Sequence, residues 1–180
     1  ATTQDAAAQT STGVTIKGSV YGGGNAADVK VNTVVNIGGG NVQGNIYGGG
    51  KIGDVGNIDK TDQTNYNYTW TDQDGNSNTT ANSNNKNTGV CNVNIISGTI
   101  GPNGDTASDD DHGNVFGGGK GDNTTFWCEK AMVYSTNVTI NNGTVKGSVY
   151  GGGEIGRVET NAVVKIGDGD GVASGLADRK

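Results

Sequence analysis

The sequence predicts an all-β fold, a parallel β-solenoid of the three-strand β-helix type with about 24–26 residues per coil and two loop insertions on one face. Three observations predict it. Glycine fills 34 of 180 positions while apolar residues make up only 31%, too few for a conventional two-layer core but enough for a repeat whose neighbours bury a few inward residues each. A seven-residue unit, G-[SN]-[VI]-[YF]-G-G-G, recurs four times, ending at Gly24, Gly50, Gly119 and Gly153. Short x-V-x-I segments alternate with it, and apolar–polar alternation of β-branched residues reads as strand.

The x-V-x-I strands are Thr33-Val34-Val35-Asn36-Ile37, Cys91-Asn92-Val93-Asn94-Ile95, Thr136-Asn137-Val138-Thr139-Ile140 and Ala162-Val163-Val164-Lys165-Ile166. Between strand and glycine unit lies a glycine turn with one aliphatic residue, Val42, Ile100, Val145 or Val172. A short tail follows the triple glycine, as in Ile52-Gly53-Asp54-Val55 and Ile155-Gly156-Arg157-Val158. Stacking these units writes the core as columns. One holds Thr33, Cys91, Thr136 and Ala162, and the next Val35, Val93, Val138 and Val164. The isoleucines 37, 95, 140 and 166 form a third, and Val20, Ile46, Val115 and Val149 a fourth. The adjoining aromatics Tyr21, Tyr47, Phe116 and Tyr150 alternate away from that column and predict an external aromatic ladder. The triple glycine beside them suits either a sharp corner with positive φ or a flat backbone strip beneath a ring.

A single solenoid domain is expected over residues 13–175, with an N-terminal arm at 1–12, a C-terminal tail at 176–180 and insertions near 56–89 and 121–133. Both insertions enter just before an x-V-x-I strand, so both emerge on one face, often the working face of a repeat protein. They carry Tyr66, Tyr68, Trp70, Phe126 and Trp127, a possible ligand patch whose plainer role is packing the insertions against the wall.

Charge and composition exclude several functions. With a net charge of −6 and twelve Lys and Arg scattered along the chain, there is no basic stripe for nucleic acid. No apolar run approaches the ~20 residues of a membrane span. The strings Gly48-x-Gly50-x-x-Gly53 and Gly119-Lys120-Gly121 belong to the repeat, with no helix to complete a nucleotide or phosphate loop. His112 is the only histidine, which leaves no evident nucleophile–base pair, and no carboxylate recurs in register on the strands. The chain therefore reads as no enzyme and as needing no cofactor. Calcium is the one ion the sequence suggests, at Asp72, Asp74, Asn76 and Asn78, where oxygen ligands alternate around a glycine turn; a solvated acidic turn has the same composition. Cys91 and Cys128 fit one disulfide or two thiols by count. Cys91 heads a strand and Cys128 enters the next coil at the same corner, which predicts a bridge.

The repeated [VI]-[YF]-G-G-G with its x-V-x-I strands resembles glycine-rich β-helical repeats of bacterial surface and secreted proteins, adhesin-like chains among them, over nearly the whole sequence. The resemblance implies an extracellular location and a structural or adhesive role, and it transfers no catalytic residue. The expected function is a subunit stacking head to tail into a filament. Its open ends would be marked by Val14 and Ile16, where the chain enters midway through a coil, and by Val164 and Ile166 in the last strand. The alternative is an adhesin-type module recognising a glycan or host protein through the aromatic insertions.

Overall fold

The computed structural model describes residues 13–56, 58–59, 69–71, 77–79, 88–103, 112–122 and 130–167. Every named element among them is a strand, and among the described residues no helix is long and apolar enough to cross a membrane.

The first sheet is built on two long strands, β3 (Thr33–Val42) and β8 (Val90–Ile100). Beside them lie β10 (Ser135–Ile140), β11 (Thr144–Val145) and β13 (Ala162–Ile166), with β1 (Thr15–Ile16) on the far edge. All pair in parallel, in the order β1-β3-β8-β10-β13, while β11 extends the line of β10 against the second half of β8. The second sheet uses the [VI]-[YF] dipeptides β2 (Val20–Tyr21), β4 (Ile46–Tyr47), β9 (Val115–Phe116) and β12 (Val149–Tyr150), again parallel and in chain order.

The registers follow from side-chain identity. Val35 pairs with Val93, and Val138 with both Val93 and Val164. Isoleucines 37, 95, 140 and 166 follow in step. A one-residue slip would turn each of these rows outward, so burial of one face fixes the pairing. Ile46 and Val115 of the second sheet pack against these rows, and with Val42 and Ile100 they make one continuous core. Asn92 and Asn94, alternating outward on β8, bond along the stack: Asn94 Nδ2 donates to Asn36 Oδ1 at 2.8 Å, and Asn137 Nδ2 to Asn92 Oδ1 at 3.0 Å.

The expectation of a parallel β-solenoid of the three-strand β-helix type is corrected. Strand ladders form only two parallel sheets. On a third line, Val29, Val55, Val133 and Val158 meet by isolated parallel bridges and belong to no strand, so among the described residues no third parallel sheet closes the wall. The physical reason lies in the tails after the triple glycine, where one buried or half-buried valine follows a glycine or alanine step and the chain then turns. Such a segment holds one bridge and no ladder. Nor is the repeat length constant: Ser19 and Asn45 are 26 apart, Asn45 and Asn114 are 69 apart, and Asn114 and Ser148 are 34 apart. The insertion near 56–89 is more than a loop. It contains β5 (Ile58–Asp59), β6 (Thr69–Thr71) and β7 (Ser77–Thr79), an antiparallel three-stranded sheet.

The triple glycines are not corners of positive φ. A Cβ on Gly48 would lie 2.2 Å from the Gly117 carbonyl oxygen and 3.0 Å from Val93 Cγ2. The glycine therefore lets the second sheet approach the first and lets successive units stack. Thr33 Oγ1 uses that approach to donate to the Gly48 carbonyl at 2.6 Å, and Thr136 Oγ1 does the same to Gly151 at 2.5 Å. Positive φ is used elsewhere: Gly98, at φ +103°, turns the chain between the two halves of β8 beside the Gly40 carbonyl.

Candidate functional site

Two features stand out: the edges of the first sheet and the aromatic face of the second.

The edges are stepped. In β3 and β8 the x-V-x-I half and the single-aliphatic half form one long strand, so Val35 and Val42 lie on the same element, as do Val93 and Ile100. The outer strands are half as long. β13 pairs with β10 over Thr136–Ile140 and supplies only the first half. β1 pairs with Asn41 and Val42 and supplies only the second half. Among the described residues, the outer edges of Thr33–Ile37 and of β11 have no strand beside them. Val14 is 73% and Ile16 38% accessible at one edge, Val164 40% and Ile166 73% at the other; Val31, Val34, Ile96, Ile155 and Val163 are exposed as well. Interior counterparts of Val164 and Ile166, such as Val93 and Ile95, are fully buried.

The aromatic face is a continuous stack. Tyr21 and Tyr47 lie 4.7 Å apart between ring centroids, Tyr47 and Phe116 5.1 Å, and Phe116 and Tyr150 4.9 Å, all within 8° of parallel. Such offset stacks gain both buried area and a favourable quadrupole arrangement. The expectation of an external ladder needs one correction: Tyr47 and Phe116 are buried, and Tyr150 is the exposed member. Neighbouring rings cover their faces, and a polar cluster covers the edges.

That cluster begins at the second position of the repeat. Ser19 Oγ accepts from the Asn45 backbone N–H at 3.0 Å, Asn45 Oδ1 from the Asn114 N–H at 2.8 Å, and Asn114 Oδ1 from the Ser148 N–H at 2.8 Å. Asn45 Nδ2 donates to the Tyr47 hydroxyl at 3.1 Å, and that hydroxyl donates to Glu154 Oε2. Lys120 bonds the other carboxylate oxygen at 2.9 Å and lies 5.8 Å from the Tyr47 ring centroid. Burial, then the Glu154 hydrogen bond, pushes the Tyr47 phenol above its usual range. A groove of about 510 Å³ opens here, with His112 on its wall and Phe116 among its lining residues.

Of these groups, the rings are the feature most legible in the sequence; Lys120 stands there inside Gly119-Lys120-Gly121 and His112 as the single histidine. The [SN] position was legible as part of the repeat, but its hydrogen-bonding role was not. Lys120 and Glu154 both follow a triple glycine, a register shared with Asn25 and Lys51, and that common position was the available signal.

Cys91 is a free, buried thiol; Cys128, the partner expected for it, lies outside the described residues. Burial pushes the Cys91 thiol up to about 12, against a smaller lowering by its hydrogen bond to Thr33. Asp72, Asp74 and Asn76 of the calcium candidate also lie outside the described residues, as do Tyr66, Tyr68, Phe126 and Trp127. Asn78 and Trp70 are described at the backbone, paired across β6 and β7. Among the described residues, no three His, Cys, Asp or Glu side chains gather into a metal-binding group.

No family model, no curated protein and no solved structure matches the chain.

Proposed function

We propose that the chain is an extracellular structural subunit that assembles head to tail with copies of itself. The observation that carries this reading is the complementarity of the half-length edge strands. β13 covers the first half of a long strand and β1 the second half, so β13 of one copy and β1 of the next fit end to end on a single line. In that arrangement β13 pairs with Thr33–Ile37 of the neighbour, and the neighbour's β1 pairs with β11. Ala162, Val164 and Ile166 meet Thr33, Val35 and Ile37, the residue classes already stacked inside the molecule.

The contact is heterologous, one edge against the other, and such contacts propagate unless their rotation closes a ring. It satisfies backbone donors and acceptors of parallel edges, which otherwise invite unplanned pairing. Burying Ile166 and Val164 adds up to about 1.5–3 kcal/mol per side chain. No catalytic step is assigned to the protein. Its extracellular place rests on the resemblance of the repeat to surface and secreted glycine-rich proteins. The rival adhesin reading rests on inserted aromatics that, Trp70 apart, lie outside the described residues.

Sedimentation velocity over a concentration series tests the proposal. The wild-type chain is expected to form species that grow with concentration, and Ile166→Asp and Ile16→Lys to remain monomeric with unchanged circular dichroism. A wild-type monomer at every concentration, or growth unaffected by both substitutions, contradicts it.

A further inference from the structure

The groove over the aromatic stack is where departures from the repeat converge. Three of the four stacked rings are tyrosines, and the fourth is Phe116. The missing hydroxyl leaves free the line along which Glu154, one unit further on, reaches past Phe116 to the Tyr47 hydroxyl. Glu154 itself breaks a register that holds lysine in the two preceding units, Lys51 and Lys120. His112, from outside the seven-residue unit, stands at the same opening. A groove needed only for stacking would repeat at every unit; this one is assembled from residues that differ between units.

Its chemistry narrows the occupant. Lys120 and Glu154 are joined at 2.9 Å and each is about one-third exposed, so the groove carries opposite charges side by side and favours neither a free anion nor a free cation. The lining is mostly polar, with an aromatic edge at Phe116, which disfavours an apolar guest. The Lys120 ammonium has donor capacity beyond its one bond to Glu154, and the carboxylate has lone pairs beyond those taken by Lys120 and Tyr47. Donors and acceptors alternating over a few ångströms, beside an aromatic C–H edge, match adjacent hydroxyls on a pyranose ring. The volume of about 510 Å³ lies in the range of small-molecule sites and is ample for one or two sugar units.

We propose that this groove is a binding site for a neutral saccharide of one or two units, held by Lys120 and Glu154, with the buried Asn45–Tyr47 pair fixing the carboxylate from behind. The site stands within one chain and is independent of the assembly reading.

The test is saturation-transfer NMR and calorimetry on the whole chain with glucose, galactose, mannose, N-acetylglucosamine and their β-linked disaccharides. Glycine, glutamate, inorganic phosphate and decane-1,10-diol serve as zwitterionic, anionic and apolar comparisons. At least one saccharide is expected to bind and the comparisons are not. Phe116→Tyr restores the ring found in the other three units and puts a hydroxyl into the groove; it is expected to abolish binding while the circular dichroism of the folded chain is retained. Glu154→Gln is expected to weaken binding about tenfold through loss of a charge-assisted acceptor. Failure of every saccharide to bind, preferential binding of a comparison compound, or undiminished saccharide binding by Phe116→Tyr overturns the proposal.

Discussion

Gly48 and Cys91 face each other across a close approach of the two sheets, and each makes a separate demand on the fold. At Gly48 a methyl group would enter the space of the Gly117 carbonyl and press on Val93 and the Cys91 Cβ. Neither backbone nor buried strand can yield cheaply, so Gly48→Ala is expected to cost about 3 kcal/mol, read as a lowered midpoint in urea. Cys91 occupies a column whose other members include Thr33 and Thr136, and its thiol is raised from 9.0 to about 12 by burial. The sign follows from linkage. Below pH 9 the thiol is neutral in both folded and unfolded chains, so it contributes nothing to the pH dependence. Between about 9 and 12 the unfolded thiol loses its proton and the folded one does not, so stability falls as pH rises through that window. Native protein at pH 8 is therefore expected to resist iodoacetamide at Cys91, and Cys91→Thr to show a shallower alkaline loss of stability. Rapid alkylation of Cys91 in the folded chain contradicts this account.

At the scale of elements, the strands were the most legible part of the sequence because their alternation and burial agree. The x-V-x-I segments appear as β3, β8, β10 and β13, in the column register their side chains dictate. The single-aliphatic segments were legible too, but their fusion with the preceding strand into the long β3 and β8 was not. Three glycines stand between Ile37 and Asn41, a composition that signals a break. Backbone pairing bridges it nonetheless, with register shifts at Ile37/Gly38 and Gly38/Asn41. The third side of the expected solenoid failed for the opposite reason: isolated valines after a turn look like a strand in a column but make only single bridges. Within the aromatic face, alternation gave the rings their direction, but not the hydrogen bond from Tyr47 to Glu154 or the pairing of Glu154 with Lys120, although the two share one register of the repeat. Tyr47→Leu removes two ring pairs and the Glu154 hydrogen bond and is expected to lower stability by about 2 kcal/mol or more. Tyr150→Leu, at the exposed end of the stack, removes one pair and is expected to cost less than half of that in the same thermal melts; equal losses at the two positions argue against a cooperative stack.

At the scale of the whole molecule, stability and assembly separate by position in the same columns. Val138→Asp puts a carboxylate between Val93 and Val164, in the buried core, and is expected to unfold the chain, since an unpaired buried charge has no compensating partner. Ile166→Asp makes the same kind of change at a side chain that is 73% accessible, and is expected to leave circular dichroism intact while blocking growth. The most direct measurement is cryo-electron microscopy of the wild-type chain at high concentration. The account predicts filaments in which β13 of one copy pairs with Thr33–Ile37 of the next, β1 fills the remaining half-line, and the Tyr150 ring stacks on the neighbour's Tyr21 at the ~5 Å spacing seen within the chain. Monomers alone, or assemblies joined through any surface other than these two edges, would contradict it.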